Sequence, residues 1–210
     1  MSTQQRASHA RVVRLKNDPA KIDAGIKRWT NEILPLVKKQ AGFRGASLLG
    51  NRKTGDGLAV TYWDSERAMQ NARPQVRPQA EMILDSTGGK IVDDDECEVA
   101  VQERIQPAKA GAFVRVTTVE ADAAKADASI ANFKEKIVPV IRAQAGVRTA
   151  LLFVNRKTGR IFSASGWDTE KDLQNSERAV TALRDEAVKK GGGKSSKVEA
   201  FEVYYTEIPS

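Results

Sequence analysis

The sequence predicts an α+β protein built from two copies of a β-α-β-β-α-β unit, and three observations support this prediction. A shift of 104 positions aligns residues 40–55 with residues 144–159, and eleven of those sixteen positions are identical. Each copy is about a hundred residues long, which is enough for a domain with its own core. Both copies also show the same succession of strand and helix patterns. The domains are predicted to span residues 8–105 and 112–208, with the linker at 105–111.

Composition is typical of an ordinary globular protein, because 40% of the residues are hydrophobic and 29% are charged. No apolar run is long enough to cross a bilayer, and the N-terminus lacks the apolar stretch of a signal peptide, so we expect a cytoplasmic protein. The net charge is +7, but Lys and Arg are interleaved with Asp and Glu. A general solvated surface is therefore favoured over a nucleic-acid footprint. The single cysteine, Cys97, is expected at a buried strand position.

Each copy begins with an alternating strand pattern, at residues 10–16 and 113–120. Apolar residues then recur at helical spacing, which predicts an amphipathic helix of about five turns. These apolar residues are Ile22, Ile26, Trp29, Ile33 and Val37 in the first copy, and Ile130, Phe133, Ile137 and Ile141 in the second. Pro35 and Pro139 are expected to kink this helix near its C-terminal end.

A glycine ends each first helix, and a hairpin follows it. Gly42 and Gly146 supply the left-handed C-cap that a helix end favours. Two apolar runs then flank the polar turn Asn-Arg-Lys-Thr-Gly in each copy, which predicts an antiparallel hairpin. The second strand of the hairpin ends at Trp63 in the first copy and at Trp167 in the second.

A second helix and a last strand complete each copy. Polar and acidic residues at 64–66 and 168–170 are typical of a helix N-terminus, where they accept hydrogen bonds from free N–H groups. The predicted second helices end near residues 84 and 189, and the predicted last strands span residues 96–103 and 198–207.

This pattern resembles the dimeric α/β-barrel superfamily, specifically domains of the antibiotic-biosynthesis-monooxygenase type. The resemblance rests on the glycine after a proline-containing helix, the Asn-Arg-Lys-Thr-Gly turn, and a strand ending in Trp-Asp-x-Glu before a helix. It covers nearly the whole chain. It implies two tandem ferredoxin-like βαββαβ domains packed sheet to sheet as an intramolecular dimeric α/β barrel whose lumen can hold a ligand. The chain is also similar to duplicated actinobacterial proteins of this superfamily, which mostly have no assigned activity.

The resemblance implies an activity only in part. The superfamily includes cofactor-independent monooxygenases of aromatic polyketides and heme-degrading enzymes, and both use the strand-terminal tryptophan near the substrate. Trp63 and Trp167 match it and are the candidate catalytic residues. Heme-degrading members carry a histidine ligand in the second helix, whereas the single histidine here, His9, precedes the first predicted strand. Polyketide-oxidising members carry an asparagine shortly before the tryptophan, where this chain has Ala59 and Ser163.

Small residues share one face of the third strand with each tryptophan, because strand side chains alternate. They are Ala59 and Thr61 in the first copy, and Ser163 and Ser165 in the second. If this face lines the lumen, it is the floor of a cavity for a flat molecule; if it faces the helices, the small residues admit helix packing. The tryptophans themselves are either substrate contacts or core anchors at the strand-to-helix corner.

Two arginines, Arg11 and Arg115, occupy equivalent positions on the first strands, on the face opposite Val12 and Val116. A guanidinium at this position either meets an anionic ligand group or forms a salt bridge with an acidic residue of the last strand. The candidate ligand-binding residues are therefore Trp63, Trp167, Arg11, Arg115, Thr61, Ser163 and Ser165. The sequence shows no Cys/His cluster at metal-binding spacing, and we expect neither a metal nor a cofactor.

Three functions remain open. The favoured one is a barrel that binds a hydrophobic or aromatic small molecule, without catalysis or in a stress-related or regulatory role. The alternative is a cofactor-independent monooxygenase of a hydrophobic aromatic substrate. Nucleic-acid binding is the least favoured, because the first strand of copy one has no aromatic residue for base stacking. No membrane association is expected, and the chain is either a monomeric pseudo-dimer or a higher homo-oligomer.

The two copies also diverge, which bears on where a site lies. Tyr62 of the first copy corresponds to Gly166 of the second, and Leu58 corresponds to Phe162. We therefore expect that a ligand site, if present, is in one half only.

Overall fold

The computed structural model describes residues 6–193 and 195–208. The elements of the first half are β1 (His9–Lys16), α1 (Ile22–Arg28), α2 (Leu34–Lys38), β2 (Phe43–Gly50), β3 (Asp56–Trp63), α3 (Glu66–Ser86) and β4 (Lys90–Arg104). Those of the second half are β5 (Phe113–Glu120), α4 (Ala126–Asn132), α5 (Val138–Arg142), β6 (Val147–Val154), β7 (Arg160–Trp167), α6 (Glu170–Lys190) and β8 (Ser195–Glu207). This order confirms the predicted α+β class.

The chain forms two compact units, and the long strands β4 and β8 contribute residues to both. The N-terminal unit contains the chain up to Glu96 together with the residues from Val203 onwards, and the C-terminal unit is Cys97–Glu202. Within the N-terminal unit the strand order is β4-β1-β3-β2-β8, and within the C-terminal unit it is β8-β5-β7-β6-β4. Each unit therefore has a five-stranded sheet that includes only its own part of β4 and β8.

The two sheets share the same register. β1 pairs antiparallel with β3 from His9 opposite Trp63, and β5 pairs with β7 from Phe113 opposite Trp167. A matching irregularity interrupts β2 and β6 near their first residues. Equivalent side chains therefore point to the same side of each sheet. His9 is the first residue of β1, which corrects the expectation that it precedes the strand.

The first helix of each unit is interrupted, which corrects the single kinked helix that the sequence predicted. A π-helical turn, Trp29–Ile33, separates α1 from α2, and Phe133–Ile137 separates α4 from α5. In the N-terminal unit the backbone N–H of Leu34 donates to the carbonyl five residues back. Pro35 and Pro139 then fall in the first turn of the helix that follows, where a missing N–H costs least. The extra residue in the turn thus accommodates each proline.

The hairpin turn of the N-terminal unit has the chemistry that its sequence predicted. The side-chain oxygen of Asn51 accepts hydrogen bonds from the backbone N–H groups of Lys53 and Thr54, at 2.9 and 3.1 Å. Gly55 has a φ of 76°, and a Cβ built there would lie 2.1 Å from the carbonyl oxygen of Asn17. Glycine is therefore required at this position by both the backbone and the space.

The last strand of each half is longer than predicted, since β4 begins at Lys90 and β8 at Ser195. Cys97 lies on β4 and is 1% exposed, which confirms its predicted burial. Each unit has a core between its helices and its sheet. That of the N-terminal unit includes Trp29, Ile33, Val37, Leu48, Trp63 and Met69. That of the C-terminal unit includes Phe133, Ile141, Leu152, Trp167, Leu173 and Val180.

Candidate functional site

Each unit contains a cavity between its helices and the helix-facing side of its sheet. Thr61 borders the cavity of the N-terminal unit, and Ser163 and Ser165 border that of the C-terminal unit. Of the two orientations that the sequence left open, the one in which the small strand residues face the helices is therefore the observed one. The helices do not fill all of the space that these small side chains leave.

The cavity of the N-terminal unit is small and mostly apolar. Its volume is about 120 Å³. The apolar lining includes Val13, Trp29, Ile33, Trp63, Met69 and Ile83. The polar lining includes Arg11 of β1, Asp94 of β4, and Arg73 and Arg77 of α3.

Arg11 is held by two carboxylates of β4. Its Nη1 lies 2.7 Å from Oδ1 of Asp94, and its Nη2 lies 2.9 Å from Oε1 of Glu96. The other oxygen of Asp94 lies 2.7 Å from Nη1 of Arg77 and 3.4 Å from Nε of Arg73. The side chains of Arg11 and Asp94 are each 11% exposed, so this is a largely buried ion-pair network. The salt bridge to the last strand is thus the arrangement observed for Arg11.

The cavity of the C-terminal unit is larger, with a volume of about 410 Å³. Three bulky residues of the N-terminal cavity have smaller counterparts here. Trp29, Ile83 and Leu84 correspond to Phe133, Ala187 and Val188, respectively. The remaining apolar lining includes Ile137, Ile141, Leu152, Ile161 and Val180. Each of these three replacements removes side-chain volume beside the cavity.

Arg115 borders this cavity and turns towards α6 rather than towards a neighbouring strand. Its Nη1 donates to Oγ of Ser176 at 2.9 Å, and its Nη2 donates to the carbonyl oxygen of Leu173 at 2.5 Å. Nη2 also lies 2.7 Å from Oε2 of Glu177, and the Arg115 side chain is only 5% exposed. The guanidinium of Arg115 is therefore buried and held by one helix.

The acidic residues that hold Arg11 have no counterparts in the C-terminal unit. The positions equivalent to Asp94 and Glu96 are occupied by Val198 and Ala200. Ala200 lies directly opposite Arg115 in the pairing of β5 with β8. This substitution explains why Arg115 takes its partners from α6.

A second arginine, Arg184, borders the C-terminal cavity at the position of Ala80 in the N-terminal unit. Its Nη2 lies 2.9 Å from Oε1 of Glu177, so Arg184 and Arg115 hold the two oxygens of one carboxylate. Burial lowers the pKa of Arg115; the charge of Glu177 opposes this effect, and that of Arg184 adds to it. Burial raises the pKa of Glu177, but the hydrogen bonds from Arg184 and Thr181 and the charge of Arg115 outweigh it, so the pKa lies below its ordinary value.

Both candidate tryptophans are buried, with Trp63 2% and Trp167 0% exposed. Each indole N–H donates to a hydroxyl two residues earlier in the strand, Trp63 to Thr61 at 2.9 Å and Trp167 to Ser165 at 3.1 Å. Trp63 borders its cavity, whereas Trp167 is not among the described residues that line the C-terminal one. The ring of Trp167 instead contacts the guanidinium of Arg115, 5.8 Å from the ring centroid.

The structure thus brings Arg11, Thr61 and Trp63 to one cavity. It brings Arg115, Ser163 and Ser165 to the other. Sequence reasoning missed two helix residues of the C-terminal cavity, Arg184 and Ser129. A signal was present in the alignment of the copies, since these positions are Ala80 and Gly25 in the first copy.

The described residues also bear on metal binding and on membrane spanning. Among the residues that the structure describes, no group of three or more His, Cys, Asp or Glu side chains is placed to hold a metal ion. No helix in the described part of the chain is long and apolar enough to cross a membrane. The single histidine, His9, lies with its Nδ1 2.9 Å from the hydroxyl of Ser8.

Comparisons with known proteins bear on the fold. No protein-family model matches the sequence. The chain is 28% identical over 195 residues to the uncharacterized protein Rv2557 of Mycobacterium tuberculosis, and the match covers 93% of this chain and 87% of the relative. An anthrone oxidase-like protein superposes with a TM-score of 0.69 at 13% identity, covering 95% of this chain and 93% of that one. A ferredoxin fold protein from Listeria monocytogenes, related to antibiotic biosynthesis monooxygenases, superposes with a TM-score of 0.55 at 11% identity, covering 96% and 98%.

The chain therefore has an α+β fold of the ferredoxin type, similar to that of antibiotic-biosynthesis-monooxygenase-like proteins, and it has uncharacterized actinobacterial relatives. At these sequence identities the structural likeness shows the fold alone. An activity has to be argued from the two cavities.

Proposed function

We propose that this protein binds a small hydrophobic or aromatic molecule in the cavity of the C-terminal unit. The observation that carries this proposal is the size of that cavity, about 410 Å³. Ligand pockets for small molecules are typically about 300–1,000 Å³ and mostly apolar, with a few polar groups that orient the ligand. The N-terminal cavity, at about 120 Å³, is below that range.

The lining of the C-terminal cavity supports the same proposal. One wall carries apolar helix residues such as Phe133 and Val180, which suit a flat apolar surface. The facing strands contribute the hydroxyls of Ser163 and Ser165, of which Ser165 already accepts the indole N–H of Trp167. Of the ligand-binding residues predicted from the sequence, Ser163 and Arg115 are therefore the polar groups that a ligand in this cavity would contact on the sheet.

A cavity-filling substitution tests this proposal. Ala187→Ile gives α6 the residue that α3 carries at the equivalent position, Ile83, and is expected to reduce the space for a ligand. Ala182→Ile adds the same side chain at an exposed position of α6 and is the matched control. Native mass spectrometry of protein from its own source reports a retained ligand, and thermal shift with 2-naphthol and 2-naphthamide reports binding to the folded state.

The proposal predicts a higher melting temperature with at least one of these aromatics for the wild type and for Ala182→Ile, and a much smaller increase for Ala187→Ile. If no ligand is retained and no aromatic compound raises the melting temperature, the proposal is contradicted. An equal shift in all three proteins also contradicts it, because the ligand would then bind elsewhere.

A second candidate function is cofactor-independent oxygenation of a hydrophobic aromatic substrate. Its support is the fold, shared with an anthrone oxidase-like protein, and the position of Trp63 beside the N-terminal cavity. Oxygen consumption with an aromatic substrate is the test, with Trp63→Phe and Trp167→Phe as variants. Consumption that depends on either tryptophan would favour catalysis over simple binding.

We also propose that the two halves, residues 8–105 and 112–208, are tandem ferredoxin-like domains packed sheet to sheet as an intramolecular barrel. The internal repeat and the matching registers of the two sheets support this proposal. It implies a monomeric pseudo-dimer, or a higher homo-oligomer, and light scattering of the full chain distinguishes these. A cytoplasmic location remains a prediction, and nucleic acid remains a disfavoured partner.

A further inference from the structure

Two residues that line the C-terminal cavity each have a buried hydrogen-bonding atom with no partner among the described residues. These atoms are Nη1 of Arg184 and Oγ of Ser129. A buried donor without an acceptor opposes folding, and the effect is greater for a charged group. The side chain of Arg184 is 17% exposed, so most of its guanidinium is withdrawn from bulk water. A ligand with an acceptor group would satisfy the free Nη1.

The charge balance of the cavity points to an anionic acceptor. Arg115 and Arg184 share the carboxylate of Glu177, and Nε of Arg184 also lies 4.0 Å from Oδ1 of the exposed Asp185. In the N-terminal unit the equivalent of Arg115 is held by two carboxylates of β4, and these positions are Val198 and Ala200 in β8. The C-terminal unit has therefore lost these two carboxylates, but it has also lost Arg73 and Arg77, whose positions are Glu177 and Thr181, and it has gained Arg184. Beside Glu177 the two guanidinium groups leave positive charge in the cavity lining, to which Lys136 and Lys190 add, and an additional carboxylate would be attracted to it.

The rest of the cavity defines the remainder of the ligand. Away from the two arginines and the charged residues Glu135, Lys136 and Lys190, the lining is largely apolar and includes Phe133, Ile137, Ile141, Val180 and Val188. Ser129 lies against Gly191, at the end of α6, which is about 10 Å along the helix from Arg184. Its hydroxyl is thus a separate anchor and does not bind the same group as Arg184.

We propose that the C-terminal cavity binds an amphipathic organic acid whose carboxylate accepts a hydrogen bond from Nη1 of Arg184 while its apolar body packs between α6 and the first helices. This assignment rests on the proposed binding function and specifies its ligand class. A guanidinium suits this role because it stays charged and donates along fixed directions that match a carboxylate. The apolar part of the cavity then contributes only shape complementarity to the body of the ligand.

The test compares an acid with its uncharged isostere in the full chain, by calorimetric titration. The probes are 2-naphthoate and 2-naphthamide, which share the aromatic body and differ in charge. The wild type is expected to bind the acid about tenfold more tightly, because the carboxylate adds a charge–charge attraction to the hydrogen bond that the amide oxygen can also accept. Arg184→Ala, which gives α6 the residue of the N-terminal unit, is expected to remove this preference, so that the two probes bind with equal affinity.

Arg178→Ala is the matched control, because Arg178 is exposed on the same helix and its removal changes the net charge by the same amount. It is expected to retain the preference for the acid. Equal binding of both probes by the wild type overturns the carboxylate assignment and leaves the proposed function standing. Binding of neither probe overturns both. A preference for the acid that survives in Arg184→Ala also overturns the assignment.

A second variant keeps the test decisive if Arg184→Ala does not fold. Ala200→Glu restores the acidic residue that Glu96 provides in the N-terminal unit, opposite Arg115. This built-in carboxylate is expected to lower the affinity for 2-naphthoate about tenfold with little effect on 2-naphthamide, because it neutralises the excess positive charge. Unchanged affinity for 2-naphthoate in this variant contradicts the proposal.

Discussion

The two cavities of this protein are built on equivalent strand positions but balance their buried charge in different ways. In the N-terminal unit, Arg11 is neutralised by Asp94 and Glu96 of the sheet, and the space beside it is small. In the C-terminal unit, Arg115 shares Glu177 with a second arginine, and the space is more than three times as large. The comparison teaches that the same scaffold can hold a buried arginine with carboxylates of the sheet or with groups of a helix, beside cavities of different volume.

The largest expected effect comes from truncating the two tryptophans. Trp167→Ala is expected to lower the free energy of unfolding by about 4 kcal/mol, because its indole is fully buried and removal leaves a new cavity. Trp63→Ala is expected to cost less, about 3 kcal/mol, since its ring already borders empty space. Urea unfolding followed by circular dichroism measures both. The reverse order of the two losses would show that the cavities do not differ in packing as described.

The ion-pair network of the N-terminal unit gives the next effect. Asp94→Asn removes a buried carboxylate that lies within 4 Å of Arg11, Arg73 and Arg77. We expect a loss of about 3 kcal/mol in the free energy of unfolding, because the largely buried Arg11 loses one of its two carboxylate partners. Chemical denaturation at neutral pH checks this value. A loss below that of Glu177→Gln would contradict the stronger charge compensation assigned to this unit.

A contact between the last residue of β2, Gly50, and Tyr204 of β8 gives a smaller effect, and a double variant provides its control. Gly50 corresponds to Val154, and Tyr204 corresponds to Ala100. A Cβ at Gly50 would lie 2.4 Å from Cε2 of Tyr204, so Gly50→Val is expected to cost about 2 kcal/mol through overpacking. The double variant with Tyr204→Ala should recover part of that loss. A double-mutant cycle without such coupling would show that the ring of Tyr204 does not press on this glycine.

The smallest effect is pH-dependent and belongs to Glu177. Its pKa is below the ordinary value, so its ionised form stabilises the fold above the usual range of glutamate titration, and this contribution is lost as the pH falls through the lowered pKa. Because the side chain is 43% exposed, Glu177→Gln is expected to cost only about 1 kcal/mol at pH 7. The difference from wild type should shrink as the pH falls below the ordinary range of glutamate titration. A difference that grows on acidification would contradict the assigned direction.

Much of the fold followed from the sequence because it depends on local patterns. The repeat, the alternation of strand residues and the turn motif at Asn51 and Gly55 fixed the order of the elements. The interruption of the first helix did not follow from the sequence, because a proline such as Pro35 can be accommodated either by a kink or by a wider turn. The backbone hydrogen bonds of the folded helix decide between the kink and the wider turn.

The candidate site was predictable only on its strand side. Alternation placed Arg115, Ser163 and Ser165 on one face, as the structure has them. The partners of Arg115 are 58 and 61 residues away along the chain, on α6, and no local pattern identifies them. The volume of the cavity depends on the combined size of side chains from six elements (β5, α4, α5, β6, β7 and α6) and from the π-helical turn between α4 and α5. Comparison of the two copies position by position is the sequence signal that points to Arg184.

The most direct test of the central claim is to locate a bound aromatic molecule by nuclear Overhauser effects in methyl-labelled full-length protein. The uncharged probe 2-naphthamide makes the measurement independent of the carboxylate assignment. We expect contacts from the probe to the methyl groups of Ile137, Val180 and Val188. Contacts to the equivalent residues of the N-terminal cavity, Ile33, Val76 and Leu84, or no contacts in either unit, would contradict the claim that the C-terminal cavity is the ligand site.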